Sequence, residues 1–345
     1  MYDLEIIVPV ETGDPVIVKR IEDFKKFGLI NLADQKVKVV LAASKDNDTK
    51  ILEKGWDTKL DVEILVTPYK QVAQRIYHYY AEYAKPDTAR WYMRVDEDSM
   101  TDIDTIVKTL DDRFDHLRDY HISGETNGDV VKVDHSILKT LGFESWYRMT
   151  PGGVEDSPQH EYEISVTSLA TMNKILSNKK AKEYMKLRQE FAEGYGDHGL
   201  ALCARMEKVY PVTTKFITKD PDFVNFSKFS GKRSHIHWTG RDKHYQINTW
   251  LELTEGNDIS EYVNCTYLYG RGEAKHLIRL RPERFMELNP EHNHPYPSRA
   301  GIWGVTKEGK LTIFVDGDVK HNHPIIILEK EGNDLVFKDY RLKKL

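Results

Sequence analysis

The sequence has few cysteines, no long apolar run and no strong excess of charge. Its two cysteines, Cys203 and Cys265, are too few for a disulfide framework and favour reduced thiols in a cytoplasmic protein. No apolar run approaches the roughly 20 residues that a bilayer-spanning helix needs. The formal net charge of −5 gives no general attraction to nucleic acid or to anionic membranes. We therefore expect a soluble, cytoplasmic protein without an integral membrane segment.

Two further absences narrow the possible functions. The sequence has no Gly-rich phosphate loop of the P-loop or dinucleotide-binding type. The first ten residues, MYDLEIIVPV, lack the basic region and cleavage site of a secretory signal, so they indicate a first β-strand. Cys203 lies in an apolar helical run, which is more typical of a buried core residue than of a nucleophile.

The composition that is present can form a core and favours a small anionic ligand. Hydrophobic residues make up 40% of the 345 residues, which is typical of a globular protein long enough for a large domain and a smaller appendage. The segment Lys228–His244 contains many cations and a single acidic residue. We interpret this local charge as a contact for an anionic ligand.

The apolar pattern predicts an α/β fold with a mixed sheet flanked by helices. Short runs rich in valine and isoleucine predict buried strands at Leu4–Val10, Val37–Ala43, Val62–Val66 and Arg90–Val95. Helical spacing predicts helices at Val16–Phe27, Tyr69–Ala84, Thr101–Asp112, Glu163–Asn178, Lys180–Ala192 and His198–Glu207. After Ile247 the pattern becomes alternating and predicts β structure. The sequence therefore predicts an α/β domain over residues 1–250 and a β-rich region over 251–345.

An acidic cluster follows the predicted strand Arg90–Val95. Ligands of open α/β sheets bind beyond the carboxyl ends of the strands, where Asp96 and Asp98 would lie. In an extended chain residues i and i+2 point to the same side, so both carboxylates could hold one cation. Oxygen ligands suit Mg²⁺ or Mn²⁺, which we expect as the cofactor.

The segment WYMRVDEDSMTD, with Asp96 and Asp98, resembles the Asp-x-Asp metal motif of GT-A glycosyltransferases of the Fringe-like galactosyltransferase type. This resemblance implies a Rossmann-like GT-A fold and a UDP-linked nucleotide-sugar donor. It implies that residues 1–250 form the catalytic domain, and it leaves the β-rich region 251–345 for acceptor binding. It also implies that IIVPVETGD contacts the nucleotide through Pro9, Val10 and Glu11. The resemblance further assigns Arg75, on the helix before the motif, and Asp96 to donor binding.

A second motif lies far downstream, in HIHWTGRDKHY. Its residues His237, Gly240 and Lys243 resemble the His-x-x-Gly-x-x-Lys signature of glycogenin-like and lipopolysaccharide galactosyltransferases. The resemblance implies that His237 completes the metal shell and that Lys243 contacts the diphosphate. The residues after Lys243 are His-Tyr, where the signature has Pro-Trp. His235 is an alternative ligand, because it would share a strand face with His237.

A third element, GYGDHGLAL, places Asp197 before an apolar helical stretch. Asp197 could cap that helix. In inverting GT-A enzymes a carboxylate in a comparable position deprotonates the acceptor hydroxyl, so the resemblance makes Asp197 the candidate general base. Glu161 and Glu163 are the lesser candidates.

The sequence thus predicts a metal-dependent glycosyltransferase with a hydroxyl acceptor, either a glycan or a modified base in phage DNA. The placement of Asp197 favours inversion, whereas the His-x-x-Gly-x-x-Lys motif favours retention; we favour inversion. A sugar-phosphate nucleotidyltransferase is an alternative, although VETGDPVIVKR lacks its repeated glycines. A non-catalytic protein that binds carbohydrate or nucleic acid is the third hypothesis.

The repeated HNHP segments, at His292–Pro295 and His321–Pro324, have no cysteine nearby and are typical of turns.

Overall fold

The computed structural model describes residues 1–13, 15–124, 165–191, 197–214, 216–218, 235–236, 244–271, 274–282, 284–288, 298–314, 325–338 and 340–345. The chain divides into two compact units. The first comprises Met1–Asp222 and Gly231–His244, and the second comprises Phe223–Ser230 and Tyr245–Leu345. The catalytic and acceptor-binding roles that the sequence assigns to residues 1–250 and 251–345 stay predictions.

A seven-stranded mixed sheet forms the centre of the first unit's described part. Its strands, in spatial order, are β4 (Leu60–Thr67), β3 (Val37–Ser44), β1 (Tyr2–Val10), β5 (Ala89–Arg94), β8 (Ser165–Ser168), β7 (His121–Gly124) and β9 (Pro211–Thr214). The first four are parallel, β8 is antiparallel to both β5 and β7, and β9 is parallel to β7. The four strands that the sequence predicts in its first hundred residues are confirmed.

Helices cover both faces of this sheet. Those described in the first unit are α1 (Pro15–Phe27), α2 (Thr49–Glu53), α3 (Val72–His78), α4 (Ile103–Arg113), α5 (Leu169–Ser177), α6 (Lys179–Phe191) and α7 (Asp197–Met206). A π-helical turn, Tyr79–Tyr83, continues α3. Alternate residues of β1 explain the two layers: Leu4 and Ile6 pack with α1 and α4, whereas Ile7 packs with α3, α5, α6 and α7. The predicted sheet flanked by helices is confirmed at this level.

The order of the parallel strands contains a reversal. From β1 the chain passes outward to β3 and then β4, and it returns across the sheet to place β5 on the other side of β1. A crevice forms at the carboxyl ends of the strands where such an order reverses, and ligands of open α/β sheets bind there. The residues that follow β1 and β5 therefore occupy the favoured place for a ligand.

A smaller sheet lies next to this edge. Its strands, in spatial order, are β10 (Ile217–Thr218), β11 (His235–Ile236), β6 (Met100–Asp102) and β2 (Leu29–Ile30). Asp102 ends β6 and caps α4, since its carboxylate accepts a hydrogen bond of 2.9 Å from the amide of Thr105.

The structure corrects two boundaries predicted from the sequence. The predicted helix Glu163–Asn178 begins only at Leu169, because Ser165–Ser168 forms strand β8 and Ser168 then caps α5. The pairing of β8 with both β5 and β7 outweighs the helical pattern there. The β structure expected directly after Ile247 begins later, because helix α8 (His244–Thr254) spans that point.

The second unit contains a nine-stranded antiparallel sheet in its described residues. In spatial order its strands are β17 (Ile325–Ile327), β16 (Leu311–Phe314), β15 (Ser298–Val305), β14 (Phe285–Leu288), β13 (Ala274–Leu280), β12 (Thr266–Arg271), β20 (Tyr340–Lys344), β19 (Asp334–Phe337) and β18 (Glu329–Glu331). Gly304 allows β15 to approach α8, because a Cβ at this position would lie 2.7 Å from Thr254 Cγ2. The expected β-rich C-terminal part is confirmed. Within the described residues no helix is long and apolar enough to cross a membrane.

Candidate functional site

The candidate site lies at the carboxyl ends of β1 and β5. Val10 is the last residue of β1, and Arg94 is the last residue of β5. The amide of Val95 donates to the carbonyl of Ile7 at 3.1 Å, so the two strands remain paired up to the acidic cluster. This arrangement brings the segment containing Glu11 next to the acidic residues that follow β5.

The acidic segment is a turn. The amide of Ser99 donates to the carbonyl of Asp96 at 3.1 Å, which closes a four-residue turn through Glu97 and Asp98. The expectation that Asp96 and Asp98 share one side of an extended strand is therefore wrong, because β5 ends at Arg94. The turn itself holds the three carboxylates close together at the edge of the sheet.

Arg75 connects helix α3 to the end of β1. Its side chain is only 1% exposed, and Nη1 donates to the carbonyl of Val10 at 2.8 Å and to Glu11 Oε2 at 3.1 Å. Glu11 Oε1 accepts a second bond, of 2.6 Å, from Asn47 Nδ2 after β3. Burial lowers the pKa of Arg75, and the charges of Glu11 and Glu97 oppose this shift. The buried guanidinium group of Arg75 and the carboxylate of Glu11 thus hold together helix α3, the end of β1 and the loop after β3.

Two more arginines contact the acidic turn. Arg94 Nη2 lies 2.8 Å from Asp96 Oδ1, and Arg20 Nη1 of helix α1 lies 2.9 Å from Glu97 Oε1. Burial, together with the negative charges of Asp96 and Asp98, raises the pKa of Glu97 to about 7. The turn is therefore a place where negative charge is concentrated and where added positive charge would stabilise the folded protein.

The small sheet brings a distant part of the chain to this turn. Strand β11 pairs with β6 in antiparallel register, with His235 opposite Thr101 and Ile236 opposite Met100. Met100 is two residues beyond Asp98, so the chain just before the second predicted motif lies beside the chain just after the first. For His235 and Ile236 the structure describes the backbone only.

Several predicted site residues lie outside the described residues, namely His237, Lys243, Glu161, Glu163 and both HNHP segments. Asp197 is described as the first residue of helix α7, without its side chain. The predicted start of that helix is confirmed to within one residue. The roles of these residues as metal ligand, diphosphate contact and general base stay predictions.

Pro9 and Val10 are buried within β1, and the side chain of Val10 is 1% exposed and packs in the core. Only their backbone and the following Glu11 are at the edge where a ligand would approach. The assignment of Pro9, Val10 and Glu11 to a nucleotide stays a prediction.

Four residues of this site have no role in the predictions from the sequence, namely Arg20, Asn47, Arg94 and Glu97. Arg94 could have been found, since it precedes Asp96 by two residues at the end of a predicted strand. Glu97 lies inside the quoted motif, yet its burial against Arg20 depends on tertiary packing. No local pattern relates Arg20 or Asn47 to residues more than 30 positions away.

Within the described residues, no group of three or more His, Cys, Asp or Glu side chains is arranged to hold a metal ion. A scan against protein-family models finds no match, and a comparison with curated proteins finds none either.

Proposed function

We propose that the protein is a metal-dependent glycosyltransferase that transfers a sugar from a nucleotide-diphosphate donor to a hydroxyl acceptor, with inversion. The observation that carries the proposal is the pairing of Ile236 with Met100. It supports a common site for two motifs separated by more than 130 residues, because His237 is the next residue after Ile236 and Asp98 is two residues before Met100. The strand order, with its reversal between β1 and β5, supports the finer assignment to the GT-A class.

The proposed donor set suits Mg²⁺ or Mn²⁺. Asp96 and Asp98 would hold the ion with His237, and water and diphosphate oxygens would complete its shell. The charges of Asp96 and Asp98 raise the pKa of Glu97, which indicates that negative charge is concentrated at the turn. This concentration of charge supports a cation site here. Asp96 can bind both Arg94 and an ion, since a carboxylate has two oxygens with several lone pairs. When bound, the ion would supply Lewis-acid stabilisation of the departing diphosphate.

The protein's own groups would orient the donor and move one proton. Arg75 holds the end of β1 and adds a buried positive charge close to Glu97. Lys243 would provide a further charge for the diphosphate. Asp197 would accept the proton of the acceptor hydroxyl. The acceptor oxygen then forms a bond to the anomeric carbon, while the bond from that carbon to the diphosphate oxygen breaks and the nucleoside diphosphate leaves.

A screen of nucleotide sugars with the whole protein tests this function. We expect slow hydrolysis of one UDP-linked sugar that requires Mn²⁺ or Mg²⁺, stops in EDTA and releases UDP. Addition of the right acceptor, either a glycan or a hydroxylated DNA base, would accelerate the release of UDP. Pyrophosphate release from UTP and a sugar 1-phosphate would instead identify a nucleotidyltransferase. If the protein turns over no nucleotide sugar but binds a carbohydrate or DNA, the result would favour a non-catalytic binding protein.

A further inference from the structure

Strand β1 contains one charged residue in an otherwise apolar interior. Glu5 lies between Leu4 and Ile6, and only 3% of it is exposed. Burial raises the pKa of Glu5, which records the cost of placing a carboxylate there. An apolar side chain of similar volume would fit such a position at least as well, because a buried charge seldom adds net stability. The presence of Glu5 therefore calls for a role other than core packing.

The hydrogen-bond partner of Glu5 is a tyrosine on the π-helical turn, and the charge of Lys38 on β3 also acts on Glu5. The hydroxyl of Tyr79 donates to Glu5 Oε1, and the ring of Tyr79 is 1% exposed. The amide of Ala84 bonds to the carbonyl of Tyr79 at 2.7 Å, which is the i to i−5 pattern of a π turn. Glu5 and Tyr79 thus form a buried hydrogen-bonded pair between the middle of β1 and the end of the α3 segment.

The same helical segment contacts β1 a second time, through Arg75. Residues four apart lie on one face of a helix, so Arg75 and Tyr79 both face β1. Arg75 reaches Val10 and Glu11 at the carboxyl end of the strand, whereas Tyr79 reaches Glu5 five residues earlier than Val10. The two contacts define how far along β1 the helix lies.

We propose that the Tyr79–Glu5 pair is a positioning device for Arg75. It sets the location of α3 along β1, so that Arg75 reaches the end of the strand and holds Glu11 where a diphosphate-bearing ligand binds. The role in ligand binding rests on the proposed function. An apolar pair would pack in the same interior without a directional bond and would leave the position of α3 along the strand less defined.

The neighbouring pair on the π turn provides a matched control. The hydroxyl of Tyr83 donates to Glu63 of β4, and Lys38 of β3 lies 3.0 Å from Glu63. This pair fixes the same turn to the sheet two strands away from β1, with no contact to Glu11. Its removal should affect stability without affecting the ligand.

The test measures melting temperature and UDP affinity in the presence of Mn²⁺ for Tyr79→Phe, Glu5→Met, the double variant and Tyr83→Phe. Tyr79→Phe should lower the melting temperature, because it leaves the buried carboxylate without its donor. The double variant should melt no lower than wild type, because both polar partners are gone. Its Kd for UDP should nevertheless rise by about 3- to 10-fold. Tyr83→Phe should leave the Kd unchanged.

A double-mutant cycle assigns the effect to Arg75. In an Arg75→Met background, removal of the Tyr79–Glu5 pair should cause no further loss of UDP affinity. An unchanged Kd in the stable double variant, or losses that add in the Arg75→Met background, would overturn the proposal. If wild type binds no UDP, the proposed function fails. In that case the free energies of unfolding in urea, measured for the same variants, test the positioning of Arg75 without any ligand. Non-additive effects of Arg75→Met and the double variant would support the positioning role, and additive effects would overturn it.

Discussion

Ile236 pairs with Met100 in antiparallel register, although 135 residues separate them in the chain. Met100 directly follows the acidic turn after β5, and Ile236 directly precedes His237. The turn is also close to Arg75, which holds the end of β1. A site formed in this way depends on long-range strand pairing, and each of its parts can be altered separately.

Asp197 allows a role in helix stability to be separated from a role in catalysis. The sequence suggested it as a cap, but it is the first helical residue of α7. If it is the general base, Asp197→Asn keeps the shape of the side chain in the first turn of α7, so the melting temperature should change little. Single-turnover transfer should nevertheless fall by about 10²- to 10⁴-fold. Asp197→Ala should also cost less than about 1 kcal/mol of stability, because a carboxylate in the first turn of a helix contributes about 0.3–1 kcal/mol through the helix dipole. Wild-type transfer rates in Asp197→Asn would remove it from the mechanism and make Glu161 or Glu163 the next candidates.

His237 should act together with the nucleotide. We expect His237→Ala to weaken Mn²⁺ binding more in the presence of UDP than in its absence, because the diphosphate completes the shell to which His237 contributes. Calorimetric titration of Mn²⁺ with and without UDP measures this difference, with His235→Ala as the matched control. An effect in His235→Ala but not in His237→Ala would show that the other histidine is the ligand.

His121 should make the protein less stable in mild acid. Burial lowers the pKa of its imidazole to about 4, and the charge of Arg205 acts in the same direction. The unfolded chain, with a histidine pKa of about 6.5, therefore binds the proton first as the pH falls. The contribution of neutral His121 to the free energy of unfolding is therefore fully present above about pH 6.5. It decreases by about 3 kcal/mol as the pH approaches 4.

Urea unfolding at pH 7 and pH 4.5 tests this expectation against His121→Gln, which has no titrating group but can still bond to Thr167, whose Oγ1 lies 3.0 Å from His121 Nδ1. The free energy of unfolding should fall more steeply with acid in wild type than in the variant. Parallel pH profiles would show that His121 is protonated in the folded protein as readily as in the unfolded chain.

The two cysteines should differ in reactivity. Cys203 is fully buried, and burial raises the pKa of its thiol. Cys265 is partly exposed, with Sγ 3.4 Å from the carbonyl of Glu261. A thiol reagent such as DTNB should modify one cysteine in the native protein and two in denaturant. Rapid modification of both cysteines in the native state would contradict the packing of α7.

Local pattern was sufficient to predict the parallel half of the main sheet. The strands around Ile6, Val39 and Met93 are largely apolar and buried, as expected of strands covered by helices on both sides. The local pattern failed at Ser165–Ser168, whose apolar and hydroxyl side chains are compatible with either a helix or a strand. There the pairing with β5 and β7 decides the conformation, and pairing partners distant in the chain cannot be inferred from a single segment.

The site was predictable only in part for the same reason. Asp96 and Asp98 could be placed at a strand end, because the strand before them is recognisable. The turn that they form depends on the bond between Ser99 and Asp96, and the contacts of Arg20 and Asn47 depend on how helix α1 and the loop after β3 pack. Contacts of this kind follow from tertiary structure and leave no periodic signal in the sequence.

Metal-dependent binding of UDP tests the central claim most directly. Calorimetry should show that wild type binds UDP at least about tenfold more tightly with Mn²⁺ than in EDTA. Asp98→Ala should lose this difference while its melting temperature remains close to wild type, and Asp112→Ala, which alters an exposed carboxylate on α4, should retain it. A wild-type dependence of UDP affinity on Mn²⁺ in Asp98→Ala would contradict the metal site proposed for the turn after β5.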